Sequence, residues 1–331
     1  MGKKPSIRLK KWSFQFKLTV LVLQGAGRVM KIHFTSTAFH NADWRDKLNR
    51  CRDYAGKLGW DFGVQLHNTA PVEVIEKLSG EGVPLSVHGP LNQDRFWNIA
   101  RENIDDTLAA MDRNFREFRS LGIHEVVFHS ALMCDFSPEA FGHGKSYDQC
   151  MQPVYCPDFA LFPGKKFNCD FTSEPEYQMR FELQKRNLRM LRARYPDFLI
   201  CIENDFPAYT GMNMFFREMV HLDHPLCLDT GHLWIATHLL GLDYQQEVKT
   251  AADSGLLRMC HFHSSRYTSA IPADQWSDGH QRLTLKNPEM NLPRVFRTLV
   301  RGGLDFFVLE IADADTEELQ IMKQWLDDPE D

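Results

Sequence analysis

The chain has 331 residues, 43% of them hydrophobic, and its 38 basic against 44 acidic side chains give a formal charge of −6. That length and apolar share exclude a disordered chain, a disulfide-stapled miniprotein and a coiled coil. No window reaches the roughly 18 consecutive apolar residues of a membrane span, so a soluble, mildly acidic α/β enzyme is expected.

Residues 1–29 differ from the rest. They carry Lys3, Lys4, Arg8, Lys10, Lys11, Lys17 and Arg28 and no acidic residue, which leaves 31 basic against 44 acidic residues in the body. Such a body repels polyanions unless a local basic groove overrides it. The order basic, apolar (18–23), small resembles a weak signal peptide. A loose tail, or a start at Met30, is the plainer reading. Cytoplasmic location is therefore the default expectation, with export as the alternative.

From Met30 the pattern alternates strand and helix. Strands are expected at 31–37, 60–66, 85–88, 125–129, 198–203, 226–229, 257–261 and 306–310. Helices are expected at 43–58, 71–78 with Pro71 in the first turn, 99–121, 174–195, 212–221, 234–238 with 244–253, 292–301 and 316–326. Residues 131–172 and 264–289 lack a period and read as long loops. Eight strand–helix units demand parallel strands with right-handed crossovers. Together with the length they predict a single closed (β/α)8 TIM barrel over 30–331. An open doubly wound sheet is the competitor, but its usual Gly-rich turn is absent after the first strand.

Eight cysteines occur without a CxxC pair. Cys201, Cys227 and Cys260 lie in apolar runs and read as buried hydrophobes. Cys134, Cys150, Cys156 and Cys169 share one irregular stretch, where reduced thiols are the default and a zinc knot or disulfides the alternative.

Active sites of such barrels lie at the C-terminal strand ends. Strands three to eight end in His88, His129, Glu203, Asp229, His261 and Glu310, all residue types that bind divalent metals. Converging buried carboxylates repel unless cations or shared protons intervene. Nearby, His232 follows Asp229 in the run Asp229-Thr230-Gly231-His232, and Asp278-Gly279-His280 adds a second pair. His263, Arg266 and Trp276 are expected to contact substrate. For His263 an ordinary structural role competes. Tyr147, Tyr155, Phe159, Phe162, Tyr267 and Trp276 are expected to form a lid or stacking wall, or simple loop anchors. His33, His40, His67, His143, His221, His224 and His238 read as peripheral, although His33 and His67 lie on or beside early strands.

The pieces Val87-His88-Gly89-Pro90, Phe128-His129-Ser130, Cys201-Ile202-Glu203-Asn204, Leu228-Asp229-Thr230-Gly231-His232, Cys260-His261-Phe262-His263 and Leu309-Glu310 resemble the xylose-isomerase-like barrel superfamily. That group holds sugar and sugar-phosphate isomerases and epimerases and the endonuclease IV branch, AP endonuclease family 2. The resemblance covers most of 30–328. It implies a metal set of Glu203, Asp229, His261 and Glu310. The endonuclease pattern further implies His88, His129 and Glu203 at one zinc, Glu203 bridging to a second, and His232, Asp278 and His280 at a third. Leu91 departs from that pattern, which has an aromatic wedge there. The segment after His280 lacks its glycines, and the two long loops are unlike its compact DNA-recognition loops.

Three readings follow. A divalent-metal-dependent isomerase or epimerase would move a proton on a sugar, sugar phosphate or polyol, with Glu203 and Glu310 as catalytic carboxylates and zinc or manganese, one to three per chain. A zinc-dependent hydrolase or phosphodiesterase with a multinuclear site is the runner-up. A non-catalytic sugar-binding barrel is the third. A small carbohydrate-like substrate is expected, nucleic acid is disfavoured by the acidic body, and a homodimer is expected by analogy.

Overall fold

The computed structural model describes residues 29–142 and 144–328. His143 and the basic stretch up to residue 28 lie outside them. Strands β1 (Lys31–Thr35), β2 (Asp61–Leu66), β3 (Leu85–His88), β4 (Glu125–Phe128), β5 (Leu199–Glu203), β6 (Leu226–Asp229), β7 (Leu257–His261) and β8 (Phe306–Leu309) form a closed parallel barrel in sequence order, β8 pairing with β1. Helices α1 (Trp44–Lys57), α2 (Val72–Ser79), α3 (Asp105–Ser120), α4 (Tyr147–Met151), α5 (Pro175–Arg194), α6 (Phe216–Met219), α7 (Thr230–Leu239), α8 (Tyr244–Asp253), α9 (Leu292–Arg301) and α10 (Thr316–Asp327) complete the eight units. No described helix is long and apolar enough to cross a membrane.

Strand alternation divides the core in two. One parity, including Ile32, Val64, Val126, Ile202 and Leu228, packs against the helices. The other fills the barrel: Val127, Cys201, Cys227, Met259, Phe306 and Val308 form a separate apolar cluster. Polar groups join that inner layer. His33 Nδ1 lies 2.8 Å from Ser86 Oγ, and Gln65 Nε2 lies 3.5 Å from Met259 Sδ. Gly63 makes room for the His33 ring, since a Cβ there would lie 2.2 Å from His33 Nε2.

Several boundaries differ from expectation. Helix α3 begins at Asp105 rather than near 99, because tertiary partners occupy the preceding backbone: Ile99 N–H donates to Ser130 O, and Asn187 Nδ2 donates to the carbonyls of Ile99 and Arg101. Residues 212–215 stay out of α6 for the same reason. Met212 N–H donates to Ala131 O and Asn213 N–H to Asp205 Oδ2. Pro71 is the N-cap of α2, in extended conformation, instead of its first turn. The loop at 131–172 contains α4, closed by a capping box between Ser146 and Gln149. All eight cysteines are free, and no cysteine joins a metal-type group among the described residues.

Candidate metal centre

The barrel's inward parity continues past the strand ends, and this builds the site. Each inner-layer residue is followed two positions later by a polar one: Ser86 by His88, Val127 by His129, Cys201 by Glu203, Cys227 by Asp229, Met259 by His261 and Val308 by Glu310. His129 and Glu310 fall one residue beyond β4 and β8 rather than closing them. Asp229 also caps α7, accepting the His232 N–H at 2.7 Å. That bond places His232 on the first turn above the ring. Asp278 and His280 are delivered by the 264–289 loop, which Ser264 and Gln281 pin through reciprocal backbone hydrogen bonds of 2.9 and 3.0 Å.

Glu203 stands at the centre. Its Oε2 is 3.0 Å from His88 Nε2 and 3.6 Å from His129 Nε2, while Oε1 is 2.8 Å from His261 Nδ1. His261 Nδ1 also lies 3.1 Å from Glu310 Oε2. On the outer side, Asp278 reaches His280 Nε2 at 3.1 Å through Oδ1 and His232 Nε2 at 3.4 Å through Oδ2. Four overlapping groups of metal-type donors result, each with its ligand atoms within 4.8 Å of one another: His88, His129 and Glu203; His88, His261 and Glu310; Glu203, Asp229, His261 and Glu310; and Asp229, His232 and His280. Asp278 joins the last through its two histidines.

The residues fit divalent cations. Glu203 Oε2 and the Nε2 atoms of His232, His261 and His280 are buried without a well-aligned hydrogen-bond partner. Leaving such groups unsatisfied costs roughly 1–3 kcal/mol each, and a divalent cation among the shared carboxylates would satisfy them. Burial alone would push the Glu203 carboxyl up, but His261 and His129 outweigh it and hold it well below the usual range. For Glu310, His261 and His280 outweigh burial in the same way. Reciprocally, burial lowers His232 and His261, yet the facing carboxylates (and, for His261, Cys227) leave both well above the ordinary value. His280 rises to about 10. Carboxylates are thus ionised and ready to ligate, and cation binding must displace protons from the imidazoles.

Two shell contacts were not foreseen from sequence. Asp205, two residues past Glu203, accepts the Asn213 N–H at 2.8 Å and holds His129 Nδ1 at 3.1 Å, turning Nε2 to the ring. His67, read as peripheral, belongs to the rim. Its Nε2 is 3.9 Å from Glu310 Oε1, its ring is 6.1 Å from that of His88, and burial lowers its pKa to about 4. The signal for it was available: Gln65 faces the barrel interior, so His67 continues that parity as the strand-three to strand-eight ligands do.

Of the residues expected to face substrate, two are used by the fold. His263 is fully buried with Nε2 3.0 Å from Asp229 Oδ2, so it orients the Asp229 carboxylate. Trp276 is 2% exposed and stacks between His238 and Tyr267, with its Nε1 donating to Ile271 O. It anchors its own loop. Arg266 is exposed and lies over the Tyr267 ring. Tyr155, Phe159 and Phe162 pack against the core as anchors, whereas Tyr147 lines a cavity of about 60 Å³ shared with His129, Asp205, His232 and Asp278. Leu91, at the position of the endonuclease wedge, is wholly buried.

Comparison with family sequence models and with curated proteins returns no match. Solved structures do match. A D-tagatose 3-epimerase-like protein, 14% identical, aligns over 90% of this chain and 97% of its own with a TM-score of 0.53. A zinc-bound IolI protein aligns at 12% identity over 90% and 96% with a TM-score of 0.50. A family 2 AP endonuclease from Brucella melitensis aligns at 12% identity over 91% and 100% with a TM-score of 0.50. These likenesses show a shared (β/α)8 barrel fold. The two loops at 131–172 and 264–289 line the cavity at its mouth, through Phe141, Tyr147 and Asp278 among others.

Proposed function

We propose that the chain is a multinuclear, zinc-dependent hydrolase of phosphoesters. One observation carries the reading: the two oxygens of Glu203 face separate imidazole sets, His88 with His129 on one side and His261 on the other. Glu203 with His88, His129, Asp229, His261 and Glu310 would hold cations there, and His232, Asp278 and His280 would hold a further one. Bound there, the cations would supply Lewis-acid charge to a phosphoryl oxygen and lower the pKa of water. The protein residues hold and aim. Asp205 fixes the His129 tautomer and orientation, and His263 does so for the Asp229 carboxylate. Glu310 Oε1, on the His67 side, would accept a hydrogen bond from the attacking water and orient it. The zinc bound in the IolI structure supports the choice of metal.

The acidic body and the small cavity favour a small substrate over duplex DNA. They also keep a second reading in view, the isomerase or epimerase of a sugar or sugar phosphate. There Glu203 and Glu310, both within hydrogen-bonding distance of His261, would exchange a proton with substrate carbon. The discriminating experiment incubates the zinc- or manganese-loaded protein with bis(4-nitrophenyl) phosphate and, in heavy water, with a panel of keto-sugars. Nitrophenol release without carbon-bound deuterium supports the hydrolase. Deuterium incorporation without release transfers the assignment to the isomerase.

A further inference from the structure

Above the ring of metal-type donors two polar side chains stand on either side of one aromatic ring. His67 is the first. Its Nδ1 accepts the Thr69 N–H at 3.3 Å and lies 2.7 Å from Thr69 Oγ1. Thr69 thus occupies Nδ1 and leaves Nε2 as the ring nitrogen turned toward Glu310. Tyr147 is the second. It opens α4, its hydroxyl has no hydrogen-bond partner among the described residues, and it lines the cavity with Asp205 and Asp278. A phenol keeps its proton at neutral pH. Between them stands Phe141, with ring centroids 6.4 Å from His67 and 5.7 Å from Tyr147.

The segment carrying Phe141 is fitted to the segment carrying His67. Gly142 has φ +104°, and a Cβ there would lie 2.2 Å from Cγ2 of Thr69, the residue that holds the His67 ring. Loop and strand end therefore form one surface. No lysine or arginine lines the cavity, and its remaining wall is apolar, including Phe96, Met151 and Phe206. An anionic substrate would find positive charge only at the cations. Its other oxygens must be met by neutral donors and its organic part by rings.

We propose that His67, Phe141 and Tyr147 form the substrate subsite of this centre, which takes the phosphoryl end of a small phosphoester bearing an aromatic group, that group lying on the solvent side of the half-buried Phe141 rather than inside the cavity of about 60 Å³. Nε2–H of His67 and the Tyr147 hydroxyl donate to phosphoryl or ester oxygens, and Phe141 packs against the aromatic group. This rests on the phosphoester reading above and names the substrate class within it.

The test measures binding of phenylphosphonate and of inorganic phosphate to the zinc-loaded full chain by calorimetry, with zinc content verified for each protein. Phenylphosphonate should bind the wild type about tenfold more tightly than phosphate, and Phe141→Ala should abolish that preference. Tyr147→Phe and His67→Asn should each weaken both anions about tenfold at unchanged zinc content. The proposal is overturned if the preference survives Phe141→Ala, if both donor variants bind as the wild type does, or if the zinc-loaded wild type binds neither anion. Turnover separates the two levels. The expected binding pattern without hydrolysis of bis(4-nitrophenyl) phosphate would retire the hydrolase and leave the subsite standing.

Discussion

His263 Nε2 meets both carboxylate oxygens of Asp229, at 3.0 and 3.2 Å, with both side chains wholly buried. The pair fixes the rotamer of a residue that also caps α7 and faces the cation ring. Such outer-shell partners are worth roughly 10–100-fold in metal affinity. His263→Ala should therefore lose zinc affinity by about that factor in chelator competition. An unchanged affinity would show that Asp229 needs no such support.

Gly231 lies directly under the same imidazole. A Cβ there would sit 2.2 Å from His263 Cε1 in a fully buried environment. Gly231→Ala should destabilise the fold by about 1–3 kcal/mol through overpacking, read as a fall in the urea midpoint. Neutral behaviour would mean that the His263 ring can move aside.

The centre concentrates ionised carboxylates in a buried ring, so cations should stabilise the folded chain. At a free zinc concentration about 1,000 times the dissociation constant, the gain per site is about 4 kcal/mol. Differential scanning calorimetry of the chelated and zinc-loaded protein should show a large upward shift in Tm. No shift under saturating zinc would contradict binding to the native state.

A pH effect remote from the centre is also expected. His224 is buried, its ring nitrogens lack a well-aligned hydrogen-bond partner, and burial followed by nearby Arg192 lowers its pKa to about 3. The unfolded chain takes up the proton near pH 6.5 and the native chain does not. The contribution is thus intact above pH 6.5 and is lost as pH falls from there toward 3. The loss is about 1.4 kcal/mol per pH unit. His224→Gln should remove that slope, so the stability difference between wild type and variant should shrink between pH 6 and pH 5. A constant difference would place the titration elsewhere.

Much of this site was legible because barrel strands have a two-residue period and end at one mouth. His88, Glu203, Asp229 and His261 are the last residues of their strands, and the pattern could be read directly. His67 escaped because β2 ends at Leu66, and a lone histidine beyond a strand looks like loop. Only its parity with Gln65 betrays it. Asp205 was masked by the ligand Glu203 beside it. The sequence could not show that Trp276 and His263 are interior, since burial of an aromatic or a histidine depends on the chain that packs over it. In Trp276 that chain is its own loop with Trp234 and His238. The late start of α3 was hidden for a related reason. Asn187, far along the chain, takes the carbonyls of Ile99 and Arg101, and local periodicity carries no record of it.

If one mouth of the barrel gathers cations around Glu203, a crystal structure of the zinc-loaded protein with anomalous data at the zinc edge should reveal them. Three anomalous peaks are expected, two of them on either side of the Glu203 carboxylate and one among His232, Asp278 and His280. Peaks away from these side chains, or an empty ring at saturating zinc, would contradict this expectation.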